Sequence, residues 1–227
     1  MTYYVAFLSD IHSNLPALKA VVKSMEGKRI DYVAFLGDLV GYYPWPNEVC
    51  EIASHLFDYA IMGNHDYSIV NNDFAGYNYI AKEADTLNLK AISSRCLHYL
   101  SSLKIKFELR LDSMRILMVH GSPSDPLFDY VYPEDVNRLE SNYDAIALGH
   151  THVQFQRKLS RSIIFNPGSV GQPRDGDPRA AYSLVRVRDD GISVDMLRVK
   201  YDVINTARAV LEAGYPRFLA QRLLQGM

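Results

Sequence analysis

Most histidines in this 227-residue chain stand directly after short apolar runs, together with aspartates and an asparagine. The groups that follow the runs read D-x-H, G-D, G-N-H-D, H-G and G-H-T-H. They contain Asp10, His12, Asp38, Asn64, His65, Asp66, His120, His150 and His152. One histidine after a strand is usually a hydrogen-bonded structural residue. Five of the seven in that position, beside carboxylates and an amide, indicate a metal cluster.

The spacing of these groups suits metal binding. Asp10 and His12 are two residues apart, as are His150 and His152, so in extended backbone both side chains of each pair would point the same way. Seven oxygen and imidazole ligands, with no thiolate among them, exceed the shell of one ion and predict two ions that share a carboxylate. Mixed ligands of this kind suit Mn²⁺, Fe or Zn²⁺ better than Mg²⁺ or Ca²⁺. Two such ions can generate a hydroxide and clamp the oxygens of a phosphoryl displacement.

The stretch MGNHDYS leaves the roles of its polar residues open. Asn64, His65 and Asp66 could each bind a metal, hydrogen-bond a turn or handle a proton. The role of each residue depends on which helices and strands position the three side chains.

The first third of the chain predicts a β-α-β-α-β unit with parallel strands. We predict strands at 3–8, 32–36 and 59–62, and helices at 15–25 and 47–56, the first with Asn14 as N-cap and Pro16 near its first turn. The strands are nearly all apolar, which is typical of a sheet covered on both faces. In such sheets ligands bind outside the carboxyl ends of the strands, where the polar groups of this chain stand.

The rest of the chain predicts a second sheet with further helices. We expect a helix at 79–93, a hairpin turning at 112–113, a short helix at 134–139, strands at 145–148 and 162–165, a hairpin over 181–199 and a helical tail. Six apolar runs then end in glycine-containing polar turns, and their convergence on one rim would gather the polar groups. We expect one domain spanning residues 1–227, built of two packed sheets with helices outside.

Composition narrows the function classes. The formal charge of −2 is no basic footprint for long nucleic acids, and no segment approaches the roughly 20 apolar residues of a membrane-spanning helix. The N-terminal run lacks a basic region before it, so we expect a cytoplasmic protein. Cys50 and Cys96 could form one disulfide, but they are expected to be reduced and buried as small hydrophobes. The sequence contains neither a P-loop motif nor G-x-S-x-G.

These blocks, in this order, resemble the calcineurin-like metallophosphoesterase family. They are D-x-H at 10–12, G-D-x-x-G at 37–41, G-N-H-D at 63–66, V-H-G at 119–121 and G-H-T-H at 149–152. The segment NPGSVGQPRDGDPRAAY at 166–182 is similar to the YfcE-type phosphodiesterase branch. The resemblance implies a four-layer α/β/β/α sandwich of two mixed β-sheets flanked by helices.

The resemblance also implies a ligand set for two divalent ions. One ion would be held by Asp10, His12, Asp38 and His152. The other would be held by Asp38, Asn64, His120 and His150, so that Asp38 bridges them. Mn²⁺ is the favoured metal, with Fe, Zn²⁺, Ni²⁺ and Co²⁺ as alternatives. A hydroxide that bridges the ions would be the nucleophile.

The remaining roles follow from the same resemblance. His65 would not be a ligand but the general acid for the leaving alkoxide, and Asp66 would orient and charge its imidazole. Arg174 is predicted near a substrate phosphate, with a surface turn beside Asp175 as the alternative. The second block lacks the arginine, and the third block lacks the glutamate, of protein Ser/Thr phosphatases.

The sequence therefore predicts a metal-dependent phosphodiesterase acting on a small phosphoester. A metal-binding scaffold without turnover, a phosphomonoesterase or nucleotidase, and a nuclease remain alternatives. An aromatic wall at Tyr42, Tyr43 and Trp45 could stack a base, although ordinary packing is the favoured interpretation there. The tail helix, with Arg208 and Arg222, is interpreted as a solvated face or as the surface of a homodimer.

Overall fold

The computed structural model describes residues 1–139 and 142–227, and within these ranges ten strands form two five-stranded sheets. The strands are β1 (Thr2–Leu8), β2 (Tyr32–Phe35), β3 (Tyr59–Ala60), β4 (Lys106–Leu111), β5 (Met114–Val119), β6 (Ala145–Ala147), β7 (Gln154–Lys158), β8 (Ile163–Pro167), β9 (Ala180–Arg188) and β10 (Gly191–Val199). The helices are α1 (Leu15–Met25), α2 (Pro46–Leu56), α3 (Asn64–Asn71), α4 (Tyr79–Ala91), α5 (Ser94–Ser102), α6 (Val203–Glu212) and α7 (Arg217–Gln225), with a 3₁₀ turn at Val136–Arg138.

Both sheets are mixed. The first has the order β10-β9-β1-β2-β3, in which β1, β2 and β3 are parallel and the β9–β10 hairpin joins β1 in antiparallel fashion. The second has the order β4-β5-β6-β8-β7, with three parallel strands between two antiparallel edges. The prediction of two mixed sheets flanked by helices is confirmed.

Apolar side chains fill the space between the two sheets, and further apolar side chains cover the outer face of each sheet. Between the two sheets, Phe7 of β1 and Phe165 of β8 pack edge to face, with their ring centroids 5.1 Å apart. The helices α1, α2 and α5 cover the outer face of the first sheet. The segment with the 3₁₀ turn covers the outer face of the second sheet through Val131 and Val136. These layers fix the strand ends of both sheets relative to each other.

Helix α1 shows how closely local signals determine an element. The side chain of Asn14 accepts a hydrogen bond from the backbone N–H of Ala17, and Pro16 lies in the first turn, as predicted. Leu18, Val21 and Met25 are buried at helical spacing against the sheet. The predicted bounds of this helix are confirmed.

Three short elements were not predicted. Helix α3 (NHDYSIVN) begins within the polar G-N-H-D block, and α5 (SRCLHYLSS) is short and rich in serine. Strand β7 (QFQRK) is an edge strand in which Phe155 is buried and the next three residues are exposed. Tertiary packing supplies the stability that the local pattern lacks.

A third apolar cluster lies at the carboxyl ends of the strands. It joins α4, α6 and α7 to the loop after β2 through Ala84, Val210 and Leu219, which pack with Tyr42 and Tyr43. This helical group therefore stands beside the edge where the polar groups emerge.

The two cysteines differ from the prediction. Cys50 on α2 and Cys96 on α5 form a disulfide with a Cα–Cα distance of 5.6 Å, so the expectation of reduced thiols is wrong in this structure. Both are buried, as expected. Among the described residues, no helix is long and apolar enough to cross a membrane.

Candidate dinuclear metal site

Seven polar side chains meet where strands of the two sheets end, and we call them the inner cluster. They are Asp10, His12, Asp38, Asn64, His120, His150 and His152. Ligand atoms fall into two groups, each with atoms within 4.8 Å of one another: Asp10, His12, Asp38 and His152 form one, and Asp38, His120 and His150 form the other. Asp38 belongs to both groups. Asn64 Oδ1 lies 3.1 Å from His120 Nε2, which places the amide at the second group.

Several inner-cluster atoms are buried without a hydrogen-bond partner in the described part of the chain. They are both carboxylate oxygens of Asp10, Oδ2 of Asp38 and Nε2 of His150. His12 Nε2 and His152 Nε2 face each other at 3.0 Å. Buried carboxylates without partners are costly, and two lone pairs at this distance need an electrophile between them. The donor set therefore fits divalent cations.

The outer nitrogens of three inner-cluster imidazoles donate to backbone carbonyls. His120 Nδ1 donates to Leu36 O at 2.8 Å, and His152 Nδ1 donates to Gln172 O at 2.6 Å. His12 Nδ1 lies 3.2 Å from Val40 O. Since Nδ1 carries a hydrogen in each ring, Nε2 is the nitrogen that faces the other members of the cluster.

The backbone of the cluster corrects one step of the sequence argument. Asp10 (φ 54°), His12 (φ 50°), His150 (φ 67°) and His152 (φ 60°) are left-handed, not extended. Both D-x-H and H-x-H still converge on the site, but they do so through tight loops. Asp38 (φ 60°) brings to five the number of ligand candidates in this sparsely populated conformation. Such residues cluster at functional sites, where contacts with the surrounding structure hold the backbone in place.

The start of α3 is shaped around Asp38. A Cβ on Gly63 would lie 2.1 Å from Asp38 Oδ1, so the close approach requires glycine. The backbone N–H of His65 donates to the same oxygen at 2.9 Å. The positive end of the helix therefore faces the carboxylate shared by both ligand groups.

Burial and neighbouring charges set the protonation of the cluster. Burial lowers the pKa of His150 to about 3 and holds the pKa values of His12 and His152 well below their usual range, so these rings are neutral. Burial disfavours the charge on Asp38, but His120 and His65 outweigh it and lower the pKa of this carboxyl. Burial raises the pKa of Asp10.

Asp66 does not have the predicted contact with the His65 ring. Its Oδ2 accepts the backbone N–H groups of Asp38 (2.9 Å) and Gly63 (3.1 Å), and its Oδ1 accepts those of Leu39 and Val40. An aspartate at the third position of a helix turns back to cap the helix start, which explains this orientation. Asp66 therefore ties α3 to the loop after β2, and the prediction that it orients His65 is wrong.

Asp85 of α4 takes that place. His65 Nδ1 donates to Asp85 Oδ2 at 2.6 Å, with both side chains buried. Burial disfavours the imidazolium, but Asp85, followed by Tyr42 and Asp38, outweighs burial and raises the pKa of His65 to about 10. Gly41 (φ +97°) makes the contact possible, because a Cβ there would lie 2.9 Å from Asp85 Oδ1 and 3.0 Å from His65 Nδ1.

Asn88 fixes α4 to the site loops one turn after Asp85. Its Oδ1 accepts the Ser13 hydroxyl at 2.8 Å and the Gly41 N–H at 3.2 Å. Its Nδ2 donates to Tyr43 O at 2.9 Å and to the Tyr215 hydroxyl at 3.0 Å. The position of Asp85 against His65 is therefore held by a buried amide with bonds to three other segments.

Arg174 lies half-buried beside the cluster. Its guanidinium donates to Gln172 Oε1 at 2.8 Å and to the Tyr42 hydroxyl at 3.4 Å, and it lies 5.8 Å from the Tyr42 ring centroid. Asp175, the alternative partner, is instead ion-paired with Arg198. The charge of Arg174 thus faces the site from among neutral partners.

The predicted aromatic wall divides in two. Tyr43 is fully buried and Trp45 packs against the third apolar cluster, as ordinary packing predicts. Tyr42 instead contacts the site, with its ring centroid 4.7 Å from that of His12 and 4.6 Å from that of His65.

A sequence model of a protein family, the calcineurin-like phosphoesterase superfamily domain, matches residues 4–190 of the chain. The chain belongs to this superfamily. The match spans the inner cluster, His65 and Arg174, all of which the resemblance of motifs singled out.

Relatives of this calcineurin-like phosphoesterase include proteins of similar length. The uncharacterized protein MJ0912 of Methanocaldococcus jannaschii is 31% identical over 239 residues, which cover 98% of each chain. Phosphodiesterase YfcE of Escherichia coli is 27% identical over 191 residues, covering 79% of this chain and 85% of its own. A metallophosphoesterase from Sphaerobacter thermophilus has a solved structure that is 31% identical, covers 100% of both chains and superposes with a TM-score of 0.83.

Three residues around the site escaped the sequence argument: Asp85, Asn88 and Gln172. Asn166 was expected at the strand ends, as the polar residue after the sixth apolar run, but without a role. Asn166 Nδ2 donates to Gly149 O at 2.6 Å and to Thr151 Oγ1 at 3.0 Å, which supports the H-x-H loop. For Asp85 and Asn88 a signal existed: both share the buried face of α4 with Ala81 and Ala84, where polar residues need partners.

Proposed function

We propose that this phosphoesterase hydrolyses small phosphodiesters and that the inner cluster holds two divalent metal ions for the reaction. The observation that carries the proposal is the set of buried, unpartnered ligand atoms grouped around Asp38. A metal-free role would leave both oxygens of Asp10 buried without a hydrogen-bond partner. The superfamily membership supports the same chemistry.

The residues divide the work between holding metal and handling substrate. Asp10, His12, Asp38 and His152 would hold one ion, and Asp38, Asn64, His120 and His150 the other. The ions, when bound, supply Lewis acidity and activate the attacking water. The mixed nitrogen and oxygen donors favour Mn²⁺, with Fe, Zn²⁺, Ni²⁺ and Co²⁺ as the alternatives.

His65 is proposed as the general acid. Its Nδ1 is engaged by Asp85, so the other ring nitrogen is the one available to a substrate in the adjoining cleft. An alkoxide that leaves phosphorus needs a proton, and a positioned imidazolium can supply it. Asp85 keeps the ring in one orientation, which is the role the sequence argument gave to Asp66.

Arg174 is proposed to bind a non-bridging phosphoryl oxygen. Its neutral partners leave the guanidinium charge for an anion, and a charged hydrogen bond of this kind both attracts and orients the phosphate. The likeness to phosphodiesterase YfcE supports a preference for diesters over monoesters.

The test begins with purified protein that has been stripped of metal by a chelator. We expect Mn²⁺ to restore hydrolysis of bis(4-nitrophenyl) phosphate, with slower turnover of 4-nitrophenyl phosphate and none of long DNA or RNA. Replacing His65 by Ala should lower kcat for a diester with an alkyl leaving group by about 10²–10⁴-fold while metal content stays intact. The loss should be smaller for bis(4-nitrophenyl) phosphate, because 4-nitrophenolate leaves without taking a proton. Asp195→Asn, an exposed change on β10, is the matched control.

Two outcomes would contradict the proposal. Absence of turnover with Mn²⁺, Fe²⁺, Zn²⁺, Ni²⁺ and Co²⁺, despite bound metal, would favour a metal-stabilised scaffold. Loss of metal from the His65→Ala variant would show that His65 is a ligand and that its assigned role is wrong.

A further inference from the structure

A cleft opens beside the inner cluster, and aromatic rings form its walls. It has a volume of about 240 Å³, and His65 and His150 lie at its inner end. Its aromatic side chains are Tyr42, Tyr77, Phe128 and Tyr130. We call this space the aromatic cleft. Tyr130 stands directly over the metal-ligand candidate His150, with ring centroids 3.9 Å apart.

Two of these rings are unusually open to solvent. Phe128 and Tyr130 are each 47% exposed, although the chain has a large apolar core elsewhere. An aromatic ring is more stable buried in the core than exposed to water. Exposed aromatic rings that cluster at the border of a cleft are therefore typical of binding sites. Stacking between rings also gives such walls a preference for planar ligands.

The loop that carries Phe128 and Tyr130 is held in place before any ligand arrives. Asp125 Oδ1 accepts the Phe128 N–H at 3.1 Å, while the Arg138 guanidinium makes two bonds to Asp129, at 2.8 and 3.0 Å. Arg138 also donates to the Tyr130 carbonyl at 3.0 Å. The wall is therefore built with its rings already positioned.

The opposite wall is also fixed, and it is tied to the metal site. The Tyr77 hydroxyl accepts a hydrogen bond from Asn64 Nδ2 at 2.7 Å, which turns Asn64 Oδ1 towards the inner cluster. The Tyr77 ring lies 5.0 Å from the His65 ring. A ligand between the two walls would thus contact Tyr77, which is hydrogen-bonded to the ligand candidate Asn64 and packs against His65.

We infer that the aromatic cleft binds the leaving group of the substrate and selects a planar aryl group or nucleobase. The inference rests on the proposed function, because His65 lines the cleft and protonates the departing oxygen. In this step the water oxygen forms a bond to phosphorus, and the bond from phosphorus to the alcohol oxygen breaks. That oxygen keeps the electron pair and takes the proton of His65. The attacking water releases one proton to solvent, and His65 regains one from solvent. The released alcohol carries the ring that the cleft holds.

The test compares two diesters whose leaving alcohols are chemically matched. Benzyl methyl phosphate and cyclohexylmethyl methyl phosphate release primary alcohols of similar reactivity, but only the first has a planar ring. Apolar area alone would favour the cyclohexyl compound. We expect kcat/KM for release of benzyl alcohol to exceed that for cyclohexylmethanol by about 10-fold, the scale of one aromatic stacking contact.

Variants of Tyr130 locate the preference. Tyr130→Leu should abolish it and Tyr130→Phe should keep it, while Tyr79→Leu, a change at a ring 79% exposed and outside the cleft, should leave it unaltered. Equal rates for the two diesters in the unchanged protein, or an unaltered preference in Tyr130→Leu, would overturn the inference.

A binding measurement separates this inference from the proposed function. On metal-free protein, ligand-observed NMR should give benzyl phosphate a dissociation constant about fivefold below that of cyclohexylmethyl phosphate. If neither diester is hydrolysed with any metal, the proposed function fails and the binding ratio alone decides the inference. Equal dissociation constants would then reject it.

Discussion

The inner cluster and its surroundings are built in opposite ways. The inner cluster is buried and charged, and all its side chains except that of Asn64, at the start of α3, come from short loops at strand ends of both sheets. Around it stands what we call the outer wall, consisting of His65, Asp85, Arg174 and the rings of the aromatic cleft. The outer wall combines the buried pair of His65 and Asp85 with aromatic rings, of which Phe128 and Tyr130 are 47% exposed. It is assembled from α3, α4 and the loops that follow β2, α3, β5 and β8. Under the proposed function, the difference predicts that metal binding and substrate handling can be separated by mutation.

The strongest way to break this comparison is to alter the residue shared by both ligand groups. Asp38→Asn should remove metal from both positions and lower kcat by about 10³-fold or more, because Lewis-acid stabilisation is worth several kcal/mol. Metal analysis after dialysis measures the first effect and steady-state kinetics the second. Full metal content in this variant would show that Asp38 does not bridge the two groups.

A change in the outer wall should separate the two functions. Asp85→Asn should lower kcat by about 10–100-fold, the cost of losing the partner that orients a functional histidine, while metal content stays the same. Glu83→Gln, two residues earlier on α4, is the matched control. A loss of metal equal to that of Asp38→Asn would mean that the outer wall and the inner cluster act as one unit.

The smallest effect is expected at Arg174. Arg174→Gln should raise KM for a diester by about tenfold with kcat nearly unchanged, the lower end for a lost hydrogen bond to a charged group. Arg174→Lys keeps the charge and should recover part of the affinity. If kcat falls while KM stays the same, Arg174 acts on the transition state and not on substrate binding.

The same division explains what the sequence could predict. Inner-cluster residues follow apolar runs within a few positions, so strand ends and motifs locate Asp10, His120 and His152 without tertiary information. The parallel strands of each sheet then bring distant motifs to one edge. Helix α1 was predicted with its cap for the same reason, since its signals are local.

The outer wall depends on contacts between segments far apart in the chain. Asp85 is 20 residues from His65, and its role exists only because α4 packs over Gly41. By sequence, the adjacent Asp66 was the natural candidate for the partner of His65, but its carboxylate accepts the backbone N–H groups of Asp38 and Gly63 instead. Tyr130 reaches His150 through a loop whose shape is set by Asp125 and Arg138. Neither contact leaves a spacing that a sequence argument can use.

Diffraction from crystals grown with Mn²⁺, measured on both sides of the manganese absorption edge, tests the central claim most directly. We predict two anomalous peaks, one among Asp10, His12 and His152 and one among Asn64, His120 and His150, with Asp38 between them. Peaks elsewhere, or a single peak that Asp38 does not touch, would contradict a dinuclear site.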